Sequence, residues 1–121
     1  MMRLKNINKK KNMKENNKKK LFISQVMSGK TKAQIMAMRK RVEDFAKEND
    51  YEILDSYIRE RKPCGVEGDN IGIWYLGKSL EILAQADAII MTPGCENARG
   101  CIIERMVAEK YNLVIHELKD E

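Results

Sequence analysis

Four short apolar runs alternate with three segments of helical period, and this alternation limits the fold more than any other feature of the chain. Leu21-Phe22-Ile23 is bounded by polar residues and reads as a buried strand. Thr31 to about Glu48 is a helix, because Ile35, Met38, Val42 and Phe45 recur at spacings of three and four. Thr31 followed by Gln34 fits a capping box at its start. Tyr51–Ile58 (YEILDSYI) is rich in aromatic and β-branched residues and predicts the second strand. Residues 59–73 carry Pro, Gly and charges and read as a long loop. Trp74 to about Gln85 is the second helix, with Leu76, Leu80 and Leu83 inward. Ala88–Met91 (AIIM) is the third strand and Thr92–Asn97 a turn. Ala98–Tyr111 is the third helix, with Ile102, Ile103, Val107 and Ala108 apolar, and Leu113–Ile115 the fourth strand. Strands separated by helices imply an α/β fold: a small Rossmann- or flavodoxin-like open parallel sheet of about four strands, with helices on both faces.

In such sheets ligands bind beyond the carboxyl ends of the strands. That rule selects SQVMSGKT (24–31), the loop after Ile58, the TPGCENARG turn (92–100) and the residues after Ile115. SGKT is also how a P-loop ends. A P-loop needs a glycine five residues before Gly29, and Ser24 stands there. The third strand ends in Ile-Ile-Met-Thr, without an acid for magnesium. A nucleoside triphosphatase is therefore not expected. The ingredients of an anion site remain in Ser24, Ser28, Gly29 and Lys30 at a helix start. A well-capped strand-to-helix turn with no ligand explains the same residues.

Glu104 lies about one and a half turns into the third helix, which starts at the same sheet edge. The positive helix end favours its ionised form, and partial burial would raise its pKa. An ionised carboxylate in a cleft can attack an anomeric carbon. The competing reading is a surface glutamate paired with Arg105 or Lys110.

The charge is unevenly spread. The net charge is +5, but residues 1–20 hold nine Lys or Arg and one acid. The remainder, 21–121, is mildly acidic and forms one domain. Residues 1–20 read as a disordered Lys/Asn-rich tail, either a solubilising extension or a contact for nucleic acid. No aromatic residue interleaves the lysines as a stacking platform would. No apolar run approaches the roughly 20 residues of a membrane span, and no apolar stretch of about 7–15 residues follows the basic start as a secretory signal requires. Cys64, Cys95 and Cys101 form no CxxC pair, and His116 is the single histidine. A structural zinc site is not expected, and reduced thiols in a cytoplasmic protein are.

LFISQVMSGKT, followed by YLGKSLEILAQADAIIMTPGCENARGCIIERMVAEKY, resembles the nucleoside 2-deoxyribosyltransferase-like superfamily. The resemblance is to its small bacterial and phage branch with SxPMxGKT and GW..arGc..E motifs, and covers about residues 21–118. It implies cleavage of the N-glycosidic bond of a nucleoside or nucleoside 5′-monophosphate, by hydrolysis or deoxyribosyl transfer, with no cofactor or metal. By position Glu104 is the nucleophile. Ser24, Gln25, Met27, Ser28, Gly29 and Lys30 would hold sugar or phosphate, and Asn97, Arg99 and Gly100 the 5′ end. Relatives of this fold are usually homo-oligomers. Three positions depart from the pattern. Ser79 occupies the place of an aspartate near base and sugar, Ala98 that of a serine, and Val26 that of a proline. A hydroxyl cannot act as an acid comparable to a carboxylic acid. Ser79 therefore keeps a second reading open, a non-catalytic nucleotide-binding module that uses the same cleft.

Overall fold

A computed structural model of the protein describes residues 18–56 and 58–119. Most of the basic tail, residues 1–17, lies outside the described residues. Its last two lysines open the first strand, β1 (Lys19–Ser24). Lys20 N–H donates to Asp87 Oδ2 at 2.8 Å, and Lys20 Nζ meets Glu52 at 3.0 Å. Lys20 thus joins the start of β1 to two neighbouring segments.

The chain continues through α1 (Lys32–Glu48), β2 (Tyr51–Ile53), α2 (Asp69–Leu83), β3 (Ala88–Met91), a 3-10 turn (Cys95–Asn97), α3 (Arg99–Lys110) and β4 (Val114–Glu117). All pairings are parallel, in the order β2-β1-β3-β4. The first crossover goes to one side of β1 and the next to the other. The order therefore reverses between β1 and β3, where ligands enter open α/β sheets. This is the small α/β architecture that the alternation implies.

Side-chain alternation along the two inner strands builds both cores. Leu21, Ile23, Ala88 and Ile90 face α1, where Val42 and Ala46 are buried. Phe22, Ile89 and Met91 face the other way, against Leu83 of α2 and Cys101 and Ala108 of α3. Each fully buried aliphatic side chain contributes roughly 1.5–3 kcal/mol, so these inner strands anchor the domain. α1 starts at the capping box: Thr31 Oγ1 accepts from Gln34 N–H (3.1 Å) while Gln34 Oε1 accepts from Thr31 N–H (2.9 Å). On the α1 face the rings of Phe45, Tyr51 and His116 pack together, and Tyr51 Oη lies 2.8 Å from His116 Nε2.

Two elements differ from the sequence reading. β2 stops at Ile53, well short of Ile58. Leu54 N–H still donates to Leu21 O (2.9 Å), but beyond it Asp55 pairs with Arg59 (3.0 Å). β2 is an outer strand paired with β1 alone, and their ladder ends at Leu21 and Ile53. α2 begins at Asp69, five residues before Trp74. Gly68 turns the chain with φ 63°, and Asp69 puts a carboxylate in the first turn, where the helix dipole favours it. The helix runs through Gly72, a weak helix former. A Cβ there would stand 3.7 Å from Arg99 Nη2, so α2 and the start of α3 come close at this point. Among the described residues no helix is long and apolar enough to cross a membrane.

Candidate functional site

Ser24 and Met91 are register partners at the ends of β1 and β3. Beyond them one strand leads into SQVMSGKT and the other into TPGCENARG, so both loops leave from the switch point. The strand ends are clamped at one carbonyl. Ser24 O accepts from Thr92 N–H (3.1 Å), Thr92 Oγ1–H (3.0 Å) and Cys95 Sγ–H (3.1 Å). The 3-10 turn then carries the chain into α3, whose first two turns bring Cys101 and Glu104 under the same strand end.

Ser24 Oγ–H donates to Glu104 Oε1 at 2.7 Å. Ser24 is 1% exposed and Glu104 8%. Among the described residues only Oε1 of this carboxylate has a hydrogen-bond partner. Burial pushes the Glu104 carboxyl up to about 7, and negative charge on Cys95 acts in the same direction. The Ser24 hydroxyl opposes both by stabilising the carboxylate. At neutral pH the group is therefore poised between acid and base.

The sequence reading named Ile102, Ile103, Val107 and Ala108 as the apolar residues of this helix. Its buried residues are Cys101, Glu104 and Ala108, while Ile102 and Met106 are each 46% exposed. The helix thus buries a carboxylate and leaves two large apolar side chains in solvent. The surface pairing considered for Glu104 is not formed by Arg105, which binds Glu109 (3.1 Å) and Glu117 (2.7 Å).

The other predicted site residues fall into groups. Ser24 does not offer its hydroxyl to a ligand, because it is buried against Glu104. The half-buried Gln25 donates through Nε2 to Ile35 O (3.0 Å) and ties the loop to α1. Met27, Ser28, Gly29 and Lys30 are exposed. They form a turn closed by Lys30 N–H to Met27 O (3.1 Å), with Gly29 at φ 78°. Lys30 and Arg41 line a cavity of about 270 Å³ with Gln25, Val26, Thr92 and Pro93. Asn97 is exposed in the 3-10 turn, and Arg99 and Gly100 open α3. Ala98 precedes them as a cap residue with no side-chain hydrogen bond, so the first amides of α3 lack a side-chain cap. Ser79 is half-buried midway along α2, and Glu104 bonds to Ser24 rather than to it.

Sequence reasoning found no CxxC pair among the cysteines and missed the contact between Cys95 and Cys101. Cys95 Sγ and Cys101 Sγ lie 2.8 Å apart, both buried. Their spacing of six crosses a 3-10 turn into a helix, so no helical period announces the contact. A second cavity, about 600 Å³, opens beside them, lined by Met91, Pro93, both cysteines, Ile102 and Met106 among others. Among the described residues no group of three or more His, Cys, Asp or Glu is placed to hold a metal ion. No protein-family model, curated protein or solved structure matches the chain.

Proposed function

We propose that the domain binds a nucleoside or nucleoside 5′-monophosphate at the β1–β3 switch point and cleaves its N-glycosidic bond through Glu104. The observation that carries this reading is the buried carboxylate beneath the end of β1, with one oxygen held by Ser24 and the other without a partner among the described residues. A fold does not bury an acid beside exposed Ile102 and Met106 for stability, so the exception points to chemistry. The resemblance of SGKT and GCENARGCIIE to the deoxyribosyltransferase-like proteins names the chemistry. Glu104 attacks the anomeric carbon, the base leaves, and water or a second base resolves the glycosyl ester. Lys30, the exposed SGK turn and the first amides of α3 suit the phosphate or 5′ end.

The test is release of free base from a panel of nucleosides and monophosphates. Glu104→Gln should lower the rate by at least about 10²-fold with the fold retained. A nucleophile must be ionised, so kcat should rise with pH through about 7. A rate that instead falls through that range would make Glu104 an acid, and an unchanged rate in Glu104→Gln would end the assignment.

Ser79 favours a second reading, in which the same cleft binds a nucleotide without turnover. Thermal stabilisation by a monophosphate with no base released would select it. No stabilisation by any nucleoside or nucleotide would count against both.

A further inference from the structure

The two buried sulfurs beside Ser24 are closer than packing requires. Carbon atoms pack at about 3.5–4.0 Å, and sulfur is larger, yet Cys95 Sγ and Cys101 Sγ stand 2.8 Å apart. A disulfide needs about 2.05 Å, so closing the pair moves the sulfurs by less than about 1 Å. Both side chains line the cavity of about 600 Å³, which gives a small reagent a route to them. Cys64, the third cysteine, is exposed and lies in the loop before α2.

We propose that Cys95 and Cys101 are a modification site: a dithiol that a hydroperoxide closes to a disulfide and a thiol reductant reopens. The hydrogen bond between the two sulfurs favours the thiolate at Cys95 against the cost of burial, and the same bond, with burial and the neighbouring charges, holds Cys101 protonated. These roles set the order of steps. The Cys95 thiolate attacks one peroxide oxygen, the O–O bond breaks, and hydroxide leaves, giving a sulfenic acid. The Cys101 sulfur then attacks the Cys95 sulfur. The S–O bond breaks, and the leaving hydroxide takes the Cys101 proton as water. Two thiols lose two electrons, one peroxide gains them, and two waters form in all once the first hydroxide is protonated.

The site sits within reach of Glu104. Cys95 donates to the Ser24 carbonyl, and the Ser24 hydroxyl holds Glu104. Closure takes away the charge of the Cys95 thiolate, and in the thiol form it takes away the S–H that bonds the Ser24 carbonyl. One of the influences that raise the Glu104 pKa disappears, so oxidation shifts its titration to lower pH. This does not depend on what the cleft binds.

The experiment treats the full chain with hydrogen peroxide, alkylates under denaturing conditions, and maps tryptic peptides. Cleavage after Lys78, Arg99 and Arg105 puts the two cysteines on separate peptides, 79–99 and 100–105. The expected result is a fall from three alkylatable thiols to one, Cys64, with 79–99 linked to 100–105 and released by dithiothreitol. Cys101→Ser should stall as a sulfenic acid at Cys95, trapped by dimedone. If that variant does not fold, the wild-type map still decides. Both cysteines fully alkylated after peroxide, or Cys95 carried to sulfinic acid with no linked peptide, would overturn the proposal. A Glu104 titration that stays in place in the linked protein would overturn its coupling to the carboxylate.

Discussion

On the α1 face, the buried helix residues Val42 and Ala46 extend the stripe that runs through Ile35, Met38 and Phe45, and nothing polar is buried in the helix. On the α3 face, the buried set is Cys101, Glu104 and Ala108, and two large apolar residues of the same helix are in solvent. Both helices cover the same two inner strands, so the sheet does not cause the difference. What differs is what each helix meets. α1 follows a loop, residues 25–31, that ends in its own capping box, and its buried residues lie against apolar strand side chains. α3 follows a loop of the same length, residues 92–98, that is clamped to Ser24 O, and its second turn meets the Ser24 hydroxyl rather than apolar surface. A face packed only for stability follows its hydrophobic period. The face at the switch point gives up part of that period to hold a carboxylate and two thiols.

The largest effect that separates the faces is a pH dependence. Burial pushes the Glu104 carboxyl up to about 7 in the fold, from 4.5 for an unperturbed glutamate. The folded state therefore binds this proton more tightly than the unfolded state. Its contribution to stability is full below pH 4.5 and is lost as pH rises through about 7. The loss is on the order of 3 kcal/mol. Glu104→Gln keeps an acceptor for Ser24 and stays neutral, so it should remove this dependence and be more stable than the parent at pH 8. Denaturant melts at pH 5 and pH 8 measure it. Parallel curves for the two proteins would mean that the carboxylate is better solvated than its burial implies.

A second prediction takes the α1 face as its control. Val42→Ala deletes methyl groups from a fully buried position and should cost about 2 kcal/mol. The cost should be equal at pH 5 and pH 8, because no titrating group moves. It should leave ligand binding at the switch point unchanged. If Val42→Ala proved as pH-sensitive as the parent protein is at Glu104, the two faces would be energetically coupled and the comparison would fail.

How far these features could be read from the chain depends on whether neighbours in sequence or neighbours in space decide them. AIIM as β3 was legible to the residue, since an inner strand buried on both faces is a continuous apolar run. The Thr31–Gln34 box was legible because both partners lie within one turn. The end of β2 was not, since YEILDSYI has strand character throughout and the extent of its pairing is set by β1, which lies elsewhere in the sequence. The start of α2 was hidden by Gly68 and Gly72, which read as loop until Arg99 is seen against the helix. Glu104 was singled out by its place near a strand end. Its burial was not legible, because the partner that makes burial tolerable is 80 residues away. The contact between Cys95 and Cys101 was unread for a related reason: a turn lies between them and sets their approach.

The smallest effect tests a polar contact within the aromatic cluster of the α1 face. Tyr51 belongs to β2 and His116 to β4, the two outer strands, yet their polar atoms meet at 2.8 Å beside Phe45. Tyr51→Phe keeps the ring and its stacking on Phe45, whose centroid is 6.2 Å away, and removes only the hydroxyl. The expected cost is about 1 kcal/mol, the net worth of one part-buried hydrogen bond. Comparing Tyr51→Phe in the parent and in His116→Phe isolates the contact, because in the second background the hydroxyl has already lost its partner. A full cost in the first and little in the second would show the outer strands joined by this bond. Equal costs in both would assign the stability to ring packing alone. The aromatic cluster on the α1 face would then be held by apolar contacts, and its contrast with the polar α3 face would be sharper still.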